Sequence, residues 1–283
     1  MTVGMVQQRL SSYACKTPLE EEHAIREITQ EIVLAALGRT DFFQKAAFHG
    51  GTCLRIFHQL NRFSEDLDFA LLEPDSTFLL EPYLHSVCDE LSAYGYAFEI
   101  QGRPQAESAV QKAFLKDDSL GQLLTLDYRP VSGPMRKIRV KLEVDTRPPA
   151  NAGFEISYLD FPFVSSVAAF DLPSLFAGKL HALLCREYVK GRDWYDFIWY
   201  IAQRVPPNYE LLTAALEQTG HRANGAIINR EQCLEWLVEK IESIDWQRAR
   251  ADVERFVKPH ERPSLDVWGN DLFLAQCRKL ASR

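Results

Sequence analysis

The chain has 283 residues, 46% hydrophobic and 25% charged, which is the balance of an ordinary globular protein rather than a fibrous, low-complexity or disulfide-stapled one. At roughly 100–200 residues per domain, two domains are expected, with enough chain to bury a core unaided. Its 32 basic and 39 acidic residues give a net charge of −7, which weighs against a broadly basic nucleic-acid binder while leaving room for a local basic cleft.

The N-terminal MTVGMVQQRL has neither a basic region nor an apolar run of signal-peptide type, and no stretch approaches the length of a membrane span, so a cytoplasmic protein with no membrane partner is expected. Residues 19–37 start acidic and carry Ile25, Ile28, Ile32 and Leu34 at helical spacing, with Gly38 as the expected C-cap. KAAFHGG reads as a short strand ending in a double glycine, TCLRIFHQL as a helix, and EDLDFALL as a second strand. A helix over 79–94 and a strand at YAFEIQ follow. GQLLTLDY and KIRVKLEVDT are strands joined by the turn-rich RPVSGPMR. In the second, Ile138, Val140, Leu142 and Val144 alternate with Arg139, Lys141, Glu143 and Asp145, the pattern of a half-buried strand. From DLPSLF onward, with its Asp cap and early proline, the chain reads as helices to its end. The expected fold class is therefore α+β: a mixed sheet with flanking helices over 1–165, followed by an α-helical domain over 166–283.

One segment concentrates the chemistry, 49-HGGTCLRIFHQLNRFSEDLDFALL-72. Asp66 and Asp68, at i and i+2 of a strand, leave the same face with Cα atoms about 6.5–7 Å apart, able to share one divalent ion or grip two. Gly50 and Gly51 open a helix whose first amides are free to meet a phosphate. A phosphate turn beside a pair of carboxylates for Mg²⁺ is what nucleotide chemistry requires.

The pattern GG-T-x-LR followed by R-F-S-x-D-L-D-F resembles the AbiEii/AbiGii toxin family of the DNA polymerase β-like nucleotidyltransferases. It is carried by Gly50, Gly51, Thr52, Leu54, Arg55, Arg62, Phe63, Ser64, Asp66, Leu67, Asp68 and Phe69, and again by 179-KLHALLCREYVKGRDWYDF-197. The resemblance implies a nucleotidyltransferase-type sheet and a metal-dependent toxin of a toxin–antitoxin system. Such a toxin moves a nucleoside monophosphate from an NTP to RNA, at the tRNA 3′ acceptor end, blocking translation. It implies Mg²⁺ or Mn²⁺ on Asp66, Asp68 and a third carboxylate, Glu143 in preference to Asp145. It also implies catalytic roles for Lys179 and Asp193 from the helical domain. Gly50, Gly51, Thr52, Arg55, Ser64, Lys179 and Asp196 are the expected nucleotide contacts. A cognate antitoxin encoded nearby, of winged-helix repressor type, and a use in phage defence follow from the resemblance alone. Arg136, Lys137, Arg139 and Lys141, with Arg186, Lys190 and Arg192, could form the basic surface for RNA.

Alternatives remain: a small-molecule acceptor such as an aminoglycoside, a protein hydroxyl, or a glycosyltransferase using D-x-D to hold its metal. The aromatic run Trp194, Tyr195, Phe197, Trp199, Tyr200 is expected in the core. The six cysteines are read as free thiols with no zinc site, His49 as a packed residue, and His58 and His181 as helix residues lacking a ligand partner one turn away.

Overall fold

The computed structural model describes residues 2–101, 119–128, 136–223 and 225–281. The connection RPVSGPMR lies largely outside them, as does the side chain of Arg136. The chain divides into two compact units: residues 1–59, 63–148 and 155–169, and residues 60–62, 149–154 and 170–283.

The first unit is built on a seven-stranded mixed sheet of order β3-β4-β5-β2-β1-β7-β6. Its strands are β1 (Ala46–His49), β2 (Asp66–Leu71), β3 (Ala97–Gln101), β4 (Ser119–Tyr128), β5 (Arg136–Asp145), β6 (Phe154–Leu159) and β7 (Ser165–Phe170). β2 pairs antiparallel with β1 and parallel with β5, so it sits centrally. Alternation does what it should on β5: Ile138, Val140, Leu142 and Val144 are buried, while Lys137 and Arg139 are exposed and Lys141, Glu143 and Asp145 half-buried. Phe48, Leu67 and Phe69 extend that apolar face, each worth roughly 1.5–3 kcal/mol on burial.

Helix α2 (Pro18–Gly38) packs against β5 and is buried along most of its length, with its buried Glu27 and Glu31 paired to Arg55 and Arg9. It starts with a capping box, Thr17 accepting from the Glu20 amide and the Glu20 side chain accepting from the Thr17 amide. Gly38 is its last helical residue, and the cap is Arg39 in the right-handed region, so no left-handed glycine cap is used. Helices α1 (Thr2–Ser12), α3 (Gly50–His58) and α4 (Glu81–Ala93) complete the unit. The expected elements did not include α1, β6 or β7. Strand β7 runs past the expected boundary at 165, pairing parallel with β1 through Phe48 and Ala169.

The second unit is helical: α5 (Leu172–Cys185), α6 (Gly191–Gln203), α7 (Tyr209–Gln218), α8 (Arg230–Glu242), α9 (Trp246–Glu254) and α10 (Asn270–Ala281). The Asp171 carboxylate caps α5 by accepting from the Ser174 amide, as its sequence indicated. Segment 149–154 is tied in by the Gly153 amide donating to Ser174 Oγ at 2.8 Å and Asn208 Nδ2 donating to Asn151 O at 2.8 Å. Trp194, Phe197 and Tyr200 are buried, with Trp194 edge-on to Trp246 and Phe273. That part of the aromatic run is core.

Candidate active site

In the first unit the parallel register of β2 and β5 aligns Asp66 with Lys141, Asp68 with Glu143 and Ala70 with Asp145. Register partners in neighbouring strands project to the same side, so Asp66, Asp68 and Glu143 share one face of the sheet, with Glu143 beside Asp68. Asp145 lies further along, and its Oδ1 accepts from the Arg147 amide at 2.9 Å. His49 is the β1 register partner of Asp68 and thus belongs to the same face.

A cation already sits against this face. Lys141 Nζ is 2.6 Å from Glu143 Oε1. Burial opposes the Lys141 charge, but the Glu143 hydrogen bond and the charges of Glu143, Asp66 and Asp68 outweigh it and raise the pKa. The chemistry of this donor set, three half-buried oxygen acids facing one ammonium, fits a hard divalent cation such as Mg²⁺. Sequence reasoning placed Lys141 in a basic RNA surface. Its i, i+2 relation to Glu143 was the available signal that it belongs with the acids instead.

The double glycine forms the wall of this face. Gly50 has φ +79, and a Cβ built there would lie 2.5 Å from Asp68 Oδ2. Only glycine allows both that conformation and that approach. The α3 N-cap, His49, makes no side-chain cap bond, leaving the first amides of α3 to other acceptors. Of the other expected nucleotide contacts, Thr52 is fully buried and its hydroxyl donates to the Asp66 carbonyl, pinning β2 to α3. Arg55 Nε donates to Glu27 Oε2 at 2.8 Å and its guanidinium lies over Phe63. The Ser64 carbonyl accepts from Gln30 Nε2 at 3.3 Å. Thr52 and Arg55 therefore hold the scaffold together.

The second unit contains a separate charged cluster. Lys179 Nζ on α5 lies 2.7 Å from Asp193 Oδ1 and 2.8 Å from Asp196 Oδ2, both on α6. Asp196 is completely buried and takes a bidentate pair of bonds from Arg62, each 2.6 Å. A carboxylate so enclosed stabilises the cluster and is not placed to touch a ligand. Asp193 also accepts from Arg186 Nη1. Burial would raise the Asp193 pKa, but Lys179, Arg186 and Lys190 together hold it at about 2. Desolvation, then Arg186 and Arg192, push the Lys190 pKa down to about 8. Arg186 and Lys190, expected on an RNA surface, thus face Asp193. Four cations, Arg62, Lys179, Arg186 and Lys190, stand against two carboxylates, a surplus suited to an anion. Arg62 was legible only as part of the matched motif, since nothing in the sequence signals its partner 134 residues away.

A sheet carrying carboxylates on neighbouring strands beside a glycine-opened helix is the arrangement of a nucleotidyltransferase. The chain matches the family described as "Nucleotidyl transferase AbiEii toxin, Type IV TA system" over residues 32–271, and it belongs to that family. It is accordingly a nucleotidyltransferase toxin of the toxin–antitoxin class, with an NTP substrate and an antitoxin partner. Two solved structures from Helicobacter pylori are similar to it. One is provisionally described as a nucleotidyltransferase (16% identity, TM-score 0.44, covering 90% of this chain and 96% of that one). The other is JHP933 (16% identity, TM-score 0.45, covering 93% and 96%). A search of curated proteins gave no match. No helix among the described residues is long and apolar enough to cross a membrane.

Proposed function

We propose that this toxin transfers a nucleoside monophosphate from an NTP to RNA, at the tRNA 3′ acceptor end, using Mg²⁺ held by Asp66, Asp68 and Glu143. The observation that carries the reading is the β2–β5 register, which sets Glu143 rather than Asp145 beside Asp68. When bound, the metal supplies charge neutralisation at the phosphates and a lower pKa for the attacking hydroxyl. The chain's own groups do the rest. Gly50 and Gly51 open the α3 amides to phosphate oxygens, with the positive end of the helix behind them. Lys179, paired with Asp193 in the helical unit, carries a positive charge of the kind that meets phosphate, the role the family resemblance implies for it. The acceptor hydroxyl attacks the α-phosphorus, a new P–O bond forms, and pyrophosphate departs. Catalysis is then mainly positioning and electrostatics.

RNA is favoured over a cationic small molecule by the solvent face of β5. Lys137 and Arg139 are exposed, Lys141 follows, and the row leads to Glu143. A polyanion can lie along the basic end while its terminal hydroxyl reaches the acids. The test is incubation with total tRNA, Mg²⁺ and each α-radiolabelled NTP in turn, wild type beside Asp66→Ala and Lys137→Ala/Arg139→Ala. Label on RNA that requires one NTP and Asp66, and that falls with steeper salt sensitivity removed in the double variant, supports the proposal. Nucleotide binding without RNA label would redirect it to another acceptor.

A further inference from the structure

A second cluster of ligating side chains lies in the helical unit. His181 and Cys185 stand four residues apart on α5, one turn along the same face. The expectation that His181 lacks a ligand partner one turn away is thus corrected: Cys185 occupies that position. The third member, His221, follows the end of α7. Gly220, at φ +72, turns the chain there, and the His221 amide donates back to the Leu216 carbonyl at 3.0 Å. This helix-terminal turn delivers the His221 ring to α5. One ligand atom from each of the three residues lies within 4.8 Å of the others.

The two rings are aimed at a common point. His181 Nε2 and His221 Nδ1 each lie 3.0 Å from Thr219 Oγ1. That hydroxyl also donates to the Ala215 carbonyl at 2.8 Å, which fixes the point the two ring edges meet. Ligands around tetrahedral zinc sit about 3.3–3.8 Å apart, given metal–nitrogen and metal–sulfur distances of about 2.0 and 2.3 Å. Closing from the present spacing needs a movement of about 1 Å, within reach of side-chain rotation because His181 and Cys185 are half-buried and His221 exposed.

We propose that His181, Cys185 and His221 form a Zn²⁺ site of the two-histidine, one-cysteine class, separate from the carboxylate face and unrelated to it in chemistry. Two imidazoles and a thiolate select a borderline-soft metal, whereas the oxygen donors of β2 and β5 select a hard one. Binding releases the Cys185 thiol proton to solvent and leaves a fourth position for water. Its effect is to clamp the end of α5 to the turn after α7. Helix α5 also carries Lys179, so the clamp holds the helix from which that lysine reaches Asp193.

The experiment uses the full chain, stripped with chelator and titrated with Co²⁺ as a spectroscopic substitute for Zn²⁺. One equivalent should produce intense visible bands of a tetrahedral site together with thiolate-to-cobalt charge transfer, and Zn²⁺ should abolish both. Cys185→Ser should remove the charge-transfer band, and His221→Ala, an exposed position whose loss leaves the fold intact, should weaken binding by at least about tenfold. Asp66→Ala should leave the spectrum unchanged, which separates this site from the proposed catalytic metal. Absence of saturable Co²⁺ absorption, or a charge-transfer band that survives Cys185→Ser, would overturn the proposal.

Discussion

The two charged clusters differ in a way that separates function from stability. On the sheet, Asp66, Asp68 and Glu143 are half-buried, and their charges together raise the pKa of the neighbouring Lys141 ammonium. Among the helices, Asp193 and Asp196 are almost wholly buried, and every carboxylate oxygen has a cationic partner. Carboxylates gathered at half-exposed positions repel one another, and a cation bound there would relieve that repulsion. A compensated buried cluster, once formed, is costly to break.

The largest expected effect follows from the first cluster. Asp66→Ala should lower nucleotidyl transfer by about a thousandfold or more, in line with the several kcal/mol a metal supplies. The same change should leave the melting temperature equal or slightly higher, since it relieves repulsion among the acids. Thermal melting beside the activity assay checks both halves. A protein that lost activity by unfolding would erase the distinction between the clusters.

The helical cluster should respond in the opposite sense. Arg62→Met leaves Asp196 buried with Lys179 alone, and should cost about 3–5 kcal/mol in urea unfolding. A loss below about 1 kcal/mol would mean that the pair is better solvated than its geometry indicates. Gly50→Ala sits between the two cases. Its left-handed backbone adds about 1–2 kcal/mol of strain, and its methyl would displace the Asp68 carboxylate, so stability and activity should fall together. Equal activity in Gly50→Ala would show that Asp68 tolerates the shift.

The smallest effects are pH dependences confined to the helical unit. Lys190 has a folded pKa of about 8, below the unfolded value of about 10.4. The unfolded chain therefore binds more protons between those values, and stability should rise with pH across that window. Lys190→Met should flatten the rise. Asp193, depressed to about 2, contributes stability that is present above the unfolded value of about 3.9 and is lost as pH falls through 2. Asp193→Asn should remove that acid-side loss.

Local signals carried much of the fold. Strict alternation located β5, the double glycine and D-x-D located the turn and the central strand, and Asp171 with Pro173 located the start of α5. Strand β7 was hidden because SSVAAF shows no alternation of apolar and polar residues, whereas FEISY of β6 does alternate and carried a readable strand signal. Helix α1 was hidden for a related reason. It is held by Arg9 on Glu31, and by Tyr13 beyond its end on Glu27, and those partners lie far along the chain.

The same limit applies to the sites. Asp66, Asp68 and Glu143 could be named because two lie on one strand and the third stands in an alternating one. The preference for Glu143 over Asp145 came from the family resemblance, and the register, which periodicity does not give, sets Glu143 beside Asp68. Thr52, Arg55 and Asp196 share the motif with the acids yet have structural partners, and a motif does not separate residues that bind from residues that hold the binding residues in place. His181 and Cys185 carried a readable i, i+4 spacing, but His221 comes from another helix end.

The most direct test of the carboxylate face is Mn²⁺ binding in the presence of NTP, followed by water-proton relaxation, in wild type and in folded Asp68→Asn. The wild type should bind Mn²⁺ together with nucleotide, and the variant should lose at least about a tenfold factor in metal affinity without loss of fold, a conservative share of the several kcal/mol at stake. Equal Mn²⁺ affinity in the two proteins would contradict the assignment of Asp66, Asp68 and Glu143 as the metal-holding centre of this nucleotidyltransferase.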